Sequence, residues 1–371
     1  MIPVNIPILG KEEKEAVLKV LDSGILTHKA GKGAMVSEFE KKFSNYVKVK
    51  HSVAMNSGTA ALHVCLLALD LKPGDEVIIP SFTFVATASV ALHVGAKPIF
   101  VDIDPEIYTM DAEVVKKAIT PKTKAIIPVH LFGHPADLDP LKEIAQTHNL
   151  TLIEDACQAH GAMYKGQQVG SIGDLACFSF YPSKNMTTGE GGMLTTNNDE
   201  LADNVRMIIN HGELEAYQTV RLGHNFRMPE IAAAIGTCQI DKLPKFIEQR
   251  RKNVENLTKL LKDNPNVHLP VVKDWAEHSW YLFTIEILQK TTSVTRDSFT
   301  SQMHEAGIGA AVYYKTPLHL IPFYKNLYNF RGGELPNTEK AAEEVVSLPV
   351  HPKVTPEQIA FIGEKVNAVL Q

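Results

Sequence analysis

Short apolar runs at residues 52–56, 76–80, 98–102, 125–130, 151–155 and 175–180 recur between helical segments through the first half of the chain. Runs this short and this apolar read as buried strands rather than helices. Between them lie helices expected over 60–69, from 81–87 onward and near 112–119. Strand and helix in alternation imply a doubly wound, mostly parallel central sheet, an α/β architecture that gathers ligands at the carboxyl ends of its strands. Ahead of the first strand, residues 11–23 and 36–46 have a helical period, the second with Phe39, Phe43 and Tyr46 on its apolar face. Past Asp199 the pattern turns helical, with a small-residue helix at 231–236 and a charged one over 243–262. A turn at 263–266 then leads to a smaller α+β domain whose strand is expected at 280–287. A chain of 371 residues is too long for one small core. The expected division is therefore a large domain over 1–243, including the N-terminal helical segment, and a small domain over 244–371.

Composition removes several classes of function. A net charge of −5 with no basic tract leaves no electrostatic footprint for nucleic acid. No window has the apolar length of a membrane span, and residues 1–10 lack the pattern of a secretory signal. Cys65, Cys157, Cys177 and Cys238 are scattered through apolar or small-residue runs, as reduced core cysteines of a cytoplasmic protein would be. Without CxxC or HExxH no metal site is expected, and no GxGxxG or phosphate-binding P-loop follows a strand.

The chemistry concentrates between residues 151 and 196. The run TLIED ends in Asp155, at the tip of a strand; after the next run, Tyr181-Pro182-Ser183 breaks the pattern and presents Lys184 on a loop. A lysine amine that condenses with an aldehyde, and a carboxylate that keeps a pyridine nitrogen protonated, are what pyridoxal phosphate needs. Taken singly, such an aspartate is as well a cap and such a lysine merely solvated; their joint occurrence carries the reading. The turn at 57–59 opens a helix, where free amides suit either a phosphate or a simple N-cap by Ser57 or Thr59. Phe84 could stack on a cofactor ring or pack in the core. His130 and His160, near strand ends, are expected to support packing rather than act on protons.

Residues 154–162 (EDACQAHGA), followed by Gly173-Asp174, 178–180 (FSF), 183–185 (SKN) and 188–192 (TGEGG), resemble the signature of the DegT/DnrJ/EryC1/StrS family. Further matches are NSGTAAL at 56–62, Thr83-Phe84 and the Gly-x-Asn-aromatic-Arg motif at 223–227. The resemblance implies a fold-type I, pyridoxal-phosphate-dependent aminotransferase. Such an enzyme moves an amino group from an amino acid, by family habit L-glutamate, to a keto group of a nucleotide-linked sugar.

By the same resemblance Lys184 and Asp155 are the catalytic pair, Gln158 meets the ring's phenolic oxygen, and Ser179, Gly58 and Thr59 hold the phosphate. Asn225 would reach the cofactor phosphate of a neighbouring subunit, which makes a homodimer with shared active sites the expected unit. Lys29, Tyr314 and His319 are candidates for the sugar substrate. The loop at 24–33, with His28, Lys29 and Lys32, could meet a nucleotide diphosphate or simply be solvated. Two other readings share the resemblance: a sugar dehydratase, whose family variant carries histidine where Lys184 stands, and a regulatory protein on the same fold, for which no DNA-binding addition is visible.

Overall fold

The computed structural model describes residues 1–27 and 33–371. Its centre is a seven-stranded sheet of β1 (His51–Met55), β2 (Glu76–Pro80), β3 (Lys97–Val101), β4 (Thr123–Ile126), β5 (Thr151–Asp155), β6 (Leu175–Ser179) and β7 (Gly192–Thr196), in the order β1-β7-β6-β5-β4-β2-β3. Strands β2 to β6 are mutually parallel, whereas β7 is antiparallel to both β1 and β6. The doubly wound, mostly parallel sheet expected from the alternation is therefore what forms. The run expected to 130 leaves the regular ladder at Ile126, because Pro128 has no N–H to donate. It stays tied to its neighbours through Ile127 N to Ile78 O (2.9 Å) and Asp155 N to Pro128 O (2.9 Å).

Helix α1 (Lys11–Ser23) has the bounds its periodicity predicted and ends at Gly24, whose φ of 68° suits glycine. Helix α2 (Ala34–Val47) buries Phe39 and Phe43 against Phe178 and Phe180 from the β6 segment, with ring centroids 4.9–5.6 Å apart across the contact. Between the strands run α3 (Gly58–Ala68), α4 (Val85–His93), α5 (Ala112–Ala118) and α6 (Leu138–His148), and α7 (Asp199–Ile208) follows β7.

The sequence suggests two helices after residue 230, but the structure has one, α8 (Glu230–Leu261), with Pro244 inside it. A proline deprives the carbonyl four residues earlier of its partner, which is why it reads as a break; packing along α8 outweighs that loss. Gly236 lets α2 approach this helix, since a Cβ there would stand 2.7 Å from two Phe39 ring carbons. Leu257 and Leu261 of α8 join Phe283, Phe299 and Ile362 in the core of the C-terminal part. That part holds the antiparallel sheet of β8 (Val267–His268), β9 (Phe283–Ile287) and β10 (Val345–Leu348). Its helices are α9 (Arg296–Glu305), α10 (Pro322–Tyr328), α11 (Pro336–Glu344) and α12 (Pro356–Val369). A division at residue 243 falls inside α8, and Ile2 pairs with Ile308 of the C-terminal part. The two-domain division thus stays a proposal in which α8 is shared. Among the described residues no helix is long and apolar enough to cross a membrane.

Candidate active site

Strand order reverses between β2 and β4, and the carboxyl ends of β2, β4, β5 and β6 converge there with the start of α3. Asp155, the last residue of β5, is 4% exposed. Its Oδ2 accepts from Thr87 Oγ1 on α4 (2.9 Å) and its Oδ1 from the Cys157 amide (3.2 Å), so the carboxylate is held from opposite sides. Ser179 ends β6. Beyond it Lys184 N donates to Tyr181 O (2.9 Å), a turn whose φ at Pro182 is preset. Lys184 is half-buried, with Nζ 4.6 Å from the centroid of the Tyr281 ring. Burial lowers the pKa of this amine, against the opposing pull of Cys157, Asp155, Tyr313 and Tyr181. A larger share of it is then neutral and nucleophilic near pH 7.

At the start of α3, Ser57 caps by accepting from Ala60 N (3.1 Å). The cap takes the Ala60 amide and leaves those of Gly58 and Thr59, which have no partner within a helix. Gly58 brings that helix end against β6: a Cβ there would lie 2.7 Å from Ser179 Cβ and 3.1 Å from Cys157 Sγ. Thr59 is exposed beside it. Phe84 is 56% exposed, while Phe82 takes the core position and is fully buried. Gln158 has a fixed amide orientation, because its Oε1 accepts from Phe132 N (3.0 Å) and its Nε2 donates to the Tyr314 hydroxyl (2.7 Å). Tyr314, stacked on Phe132 with planes 13° apart, comes to the site as the sequence suggests.

His319 does not. It is fully buried, with Nδ1 2.7 Å from Ser81 Oγ and Nε2 3.1 Å from Glu339 Oε1, so both ring nitrogens are engaged and it props the loop after β2 instead of facing a substrate. Lys29, with His28 and Lys32, lies outside the described residues. Asn225 is exposed, on a segment whose Phe226 carbonyl accepts from Asn56 N (2.9 Å) beside the start of α3. Arg227 is used within the chain, donating to Asn210 Oδ1 (2.8 Å). Ligand-type atoms of Asp155, Cys157 and Cys177, and of His319, Glu334 and Glu339, lie within 4.8 Å of one another. Hydrogen bonds to protein groups already occupy Asp155, His319 and both oxygens of Glu339.

Sequence reasoning passed over Thr87, Tyr281 and Glu154. Thr87 sits one helical turn past the Thr83-Phe84 pair, and that spacing was the available signal. Tyr281 was hidden in a run read as an ordinary strand.

Both histidines near the strand ends pack. His130 accepts from Ala136 N at Nδ1 (2.9 Å) and meets Glu154 Oε2 through Nε2 (3.0 Å). His160 lies between the rings of Phe178 and Phe180 (5.4 and 5.6 Å), its pKa pushed down to about 3 by burial and by the nearby Lys184 charge. A histidine with a depressed folded pKa takes up its proton more readily when unfolded. Its contribution is therefore complete above the unfolded value near 6.5 and drains away as pH falls toward the folded one. Below about pH 6 the unfolded chain holds this proton and the native one does not, so His160 should cost the fold roughly 1 kcal/mol per pH unit as pH falls. Urea unfolding of wild type and His160→Gln at pH 7.0 and 5.5 checks this: the variant should lose less stability across the interval, and equal losses would exclude His160 as the source.

A profile of the DegT/DnrJ/EryC1/StrS aminotransferase family matches residues 7–367. The chain belongs to this family. This family member is 38% identical to the GDP-perosamine synthase of Caulobacter vibrioides, over 100% of this chain and 98% of that protein. It is 41% identical to the UDP-N-acetyl-3-dehydro-alpha-D-glucosamine 3-aminotransferase of Acidithiobacillus ferrooxidans, over 87% of this chain and 85% of that one. Among solved structures, Streptomyces venezuelae DesV in complex with a ketimine intermediate superposes with a TM-score of 0.92 at 36% identity, covering 100% of this chain and 99% of DesV. This family member is accordingly a pyridoxal-phosphate-dependent aminotransferase. Its own donor set suits the cofactor: a half-buried amine, a buried carboxylate, an exposed aromatic ring, and a helix start brought against a serine by Gly58.

Proposed function

We propose that this aminotransferase carries an amino group from L-glutamate to a keto group of a nucleotide-linked sugar. The observation that carries the reading is that Asp155 ends β5 while Lys184, on the turn after neighbouring β6, lies close enough to feel its charge, with the glycine-opened start of α3 packed on Ser179 and Phe84 left exposed. The names of the relatives, which include enzymes acting on GDP- and UDP-linked sugars, supply the acceptor class.

Bound pyridoxal phosphate would supply the electron sink for a carbanion at the donor's α-carbon. Around it Lys184 holds and moves the proton, its lowered pKa suiting a base that works near neutrality. Asp155, fixed by Thr87 and the Cys157 amide, presents its charge to the ring nitrogen. Phe84 covers a ring face. Gln158, its oxygen already used by Phe132 N, turns its remaining N–H toward the ring oxygen. Ser179 and the first amides of α3, at Gly58 and Thr59, receive the phosphate. The exposed Asn225 is available to a second copy, in keeping with a homodimer of shared sites, and Tyr314 borders the sugar. A cytoplasmic location fits the reduced cysteines.

The test is a half-reaction. Enzyme loaded with pyridoxal phosphate and mixed with L-glutamate, without acceptor, should form one 2-oxoglutarate per site and lose its visible absorbance. Adding a nucleotide-linked keto-sugar should restore the absorbance and yield an amino sugar. Retention of colour with L-glutamate but loss with another amino acid would refute the donor; failure of every keto-sugar to restore it would refute the acceptor class.

A further inference from the structure

Arg250, on α8, is 2% exposed and has no carboxylate partner among its hydrogen bonds. Its guanidinium donates instead to two successive carbonyls, Trp280 O (3.1 Å) and Tyr281 O (3.2 Å), and to Asn5 Oδ1 (2.8 Å), while Asn5 Nδ2 also donates to Tyr281 O (3.2 Å). Burying a cation against neutral acceptors alone is costly, and burial does lower the Arg250 pKa to about 10. The segment it clasps is strained. Trp280 has a φ of 54°, a left-handed conformation that a bulky side chain rarely adopts, and its ring lies on His278 at 3.9 Å with planes 6° apart. Strain of this kind persists only where the surroundings over-determine it. What the turn achieves is the placing of Tyr281, whose hydroxyl meets Ser183 Oγ (2.9 Å) and whose ring faces Lys184 Nζ at 4.6 Å.

We propose that Arg250 is a positioning residue for Lys184: it locks the strained Trp280–Tyr281 turn so that the Tyr281 ring sits against the lysine amine. The inference rests on Lys184 being the reactive amine and adds the device that tunes it. A ring face stabilises an ammonium over an amine, so Tyr281 moderates the loss of charge that burial imposes. The side chain of Lys184 is then held in place whenever its nitrogen is free. Other groups that bear on Lys184 are Asp155 at the end of β5, Cys157 just beyond it, Tyr181 on its own turn, Tyr313, and the neutral His160. None of them touches Arg250 in its hydrogen bonds, so a shift caused by Arg250 is carried by the turn.

The test reads the amine, not turnover. The full chain, freed of cofactor, is labelled with traces of acetic anhydride at graded pH, and acetylation at Lys184 is followed by peptide mass spectrometry. Tyr281→Leu should move the midpoint down by about one pH unit, a tenfold change in proton affinity. Tyr281→Phe, which keeps the ring, should stay within about 0.3 unit of wild type. Arg250→Met should shift the midpoint in the same direction as Tyr281→Leu, with Arg250→Lys recovering part of the shift. If Arg250→Met does not fold, Asn5→Ala loosens the same carbonyl and should shift it likewise. An unmoved midpoint in Tyr281→Leu overturns the ring contact, and a shift there without one in Arg250→Met or Asn5→Ala overturns the role of Arg250. Failure of pyridoxal phosphate and borohydride to modify Lys184 in the wild type would sink the functional reading, a result distinct from either.

Discussion

Lys184→Ala should lower amino transfer by about 10⁴-fold, the upper range for a positioned acid–base group, while leaving the fold intact. Lys184 lies half-buried at the end of a turn held by its backbone, and its side chain forms no ion pair among the described residues. Little stability depends on it. The residual rate should not recover at higher pH, because among the described residues no neighbour is placed to substitute: the Tyr313 and Tyr281 hydroxyls are pushed up by burial, and His160 is locked between phenylalanines. Borohydride reduction of the loaded wild type should leave the cofactor's mass on the peptide holding Lys184, and the variant should carry none. A variant that kept more than about a tenth of wild-type turnover would remove Lys184 from its role.

The parts of this site that could be read from sequence are those whose chemistry is set by residue type and local run. Asp155 at the end of TLIED and Lys184 after the Tyr181–Ser183 break are of this kind, since a strand end and a turn fix where a side chain can go. The central sheet was legible for the same reason: buried parallel strands are continuous apolar runs whatever they pair with. His319 was misplaced because its segment does return toward the site, but the side chain turns to Ser81 and Glu339, partners remote in sequence. Continuity of α8 through Pro244 depends on packing against α1, α2 and α12, which outweighs a local signal to stop. Arg250 and Tyr281 are linked by a backbone conformation at Trp280 that no residue type announces.

Glu154 is a comparable case, and its replacement carries the largest expected effect on stability. The carboxylate is fully buried next to Asp155 and accepts from Ile172 N (2.8 Å) and Gly173 N (2.7 Å) at one oxygen, and from Gly170 N (2.7 Å) and His130 Nε2 (3.0 Å) at the other. Burial alone would raise its pKa, but His130 and these amides together bring it below the usual range, so the anion is the native form. Because His130 Nδ1 accepts from Ala136 N, its proton is on Nε2 and points at the carboxylate. Every partner of Glu154 is therefore a donor. Glu154→Gln puts an NH₂ group against two of them whichever way the amide turns, and should cost about 3–5 kcal/mol. The loss would fall first on the 170–173 loop, whose Gly170 carbonyl also accepts from Thr195 Oγ1 on β7. Urea midpoints at pH 7 with an unchanged slope would measure it, and amide exchange should show residues 170–173 opening before the sheet. A loss under about 1 kcal/mol would mean that water or a backbone shift satisfies those donors, and that the motif keeps its glutamate for another reason.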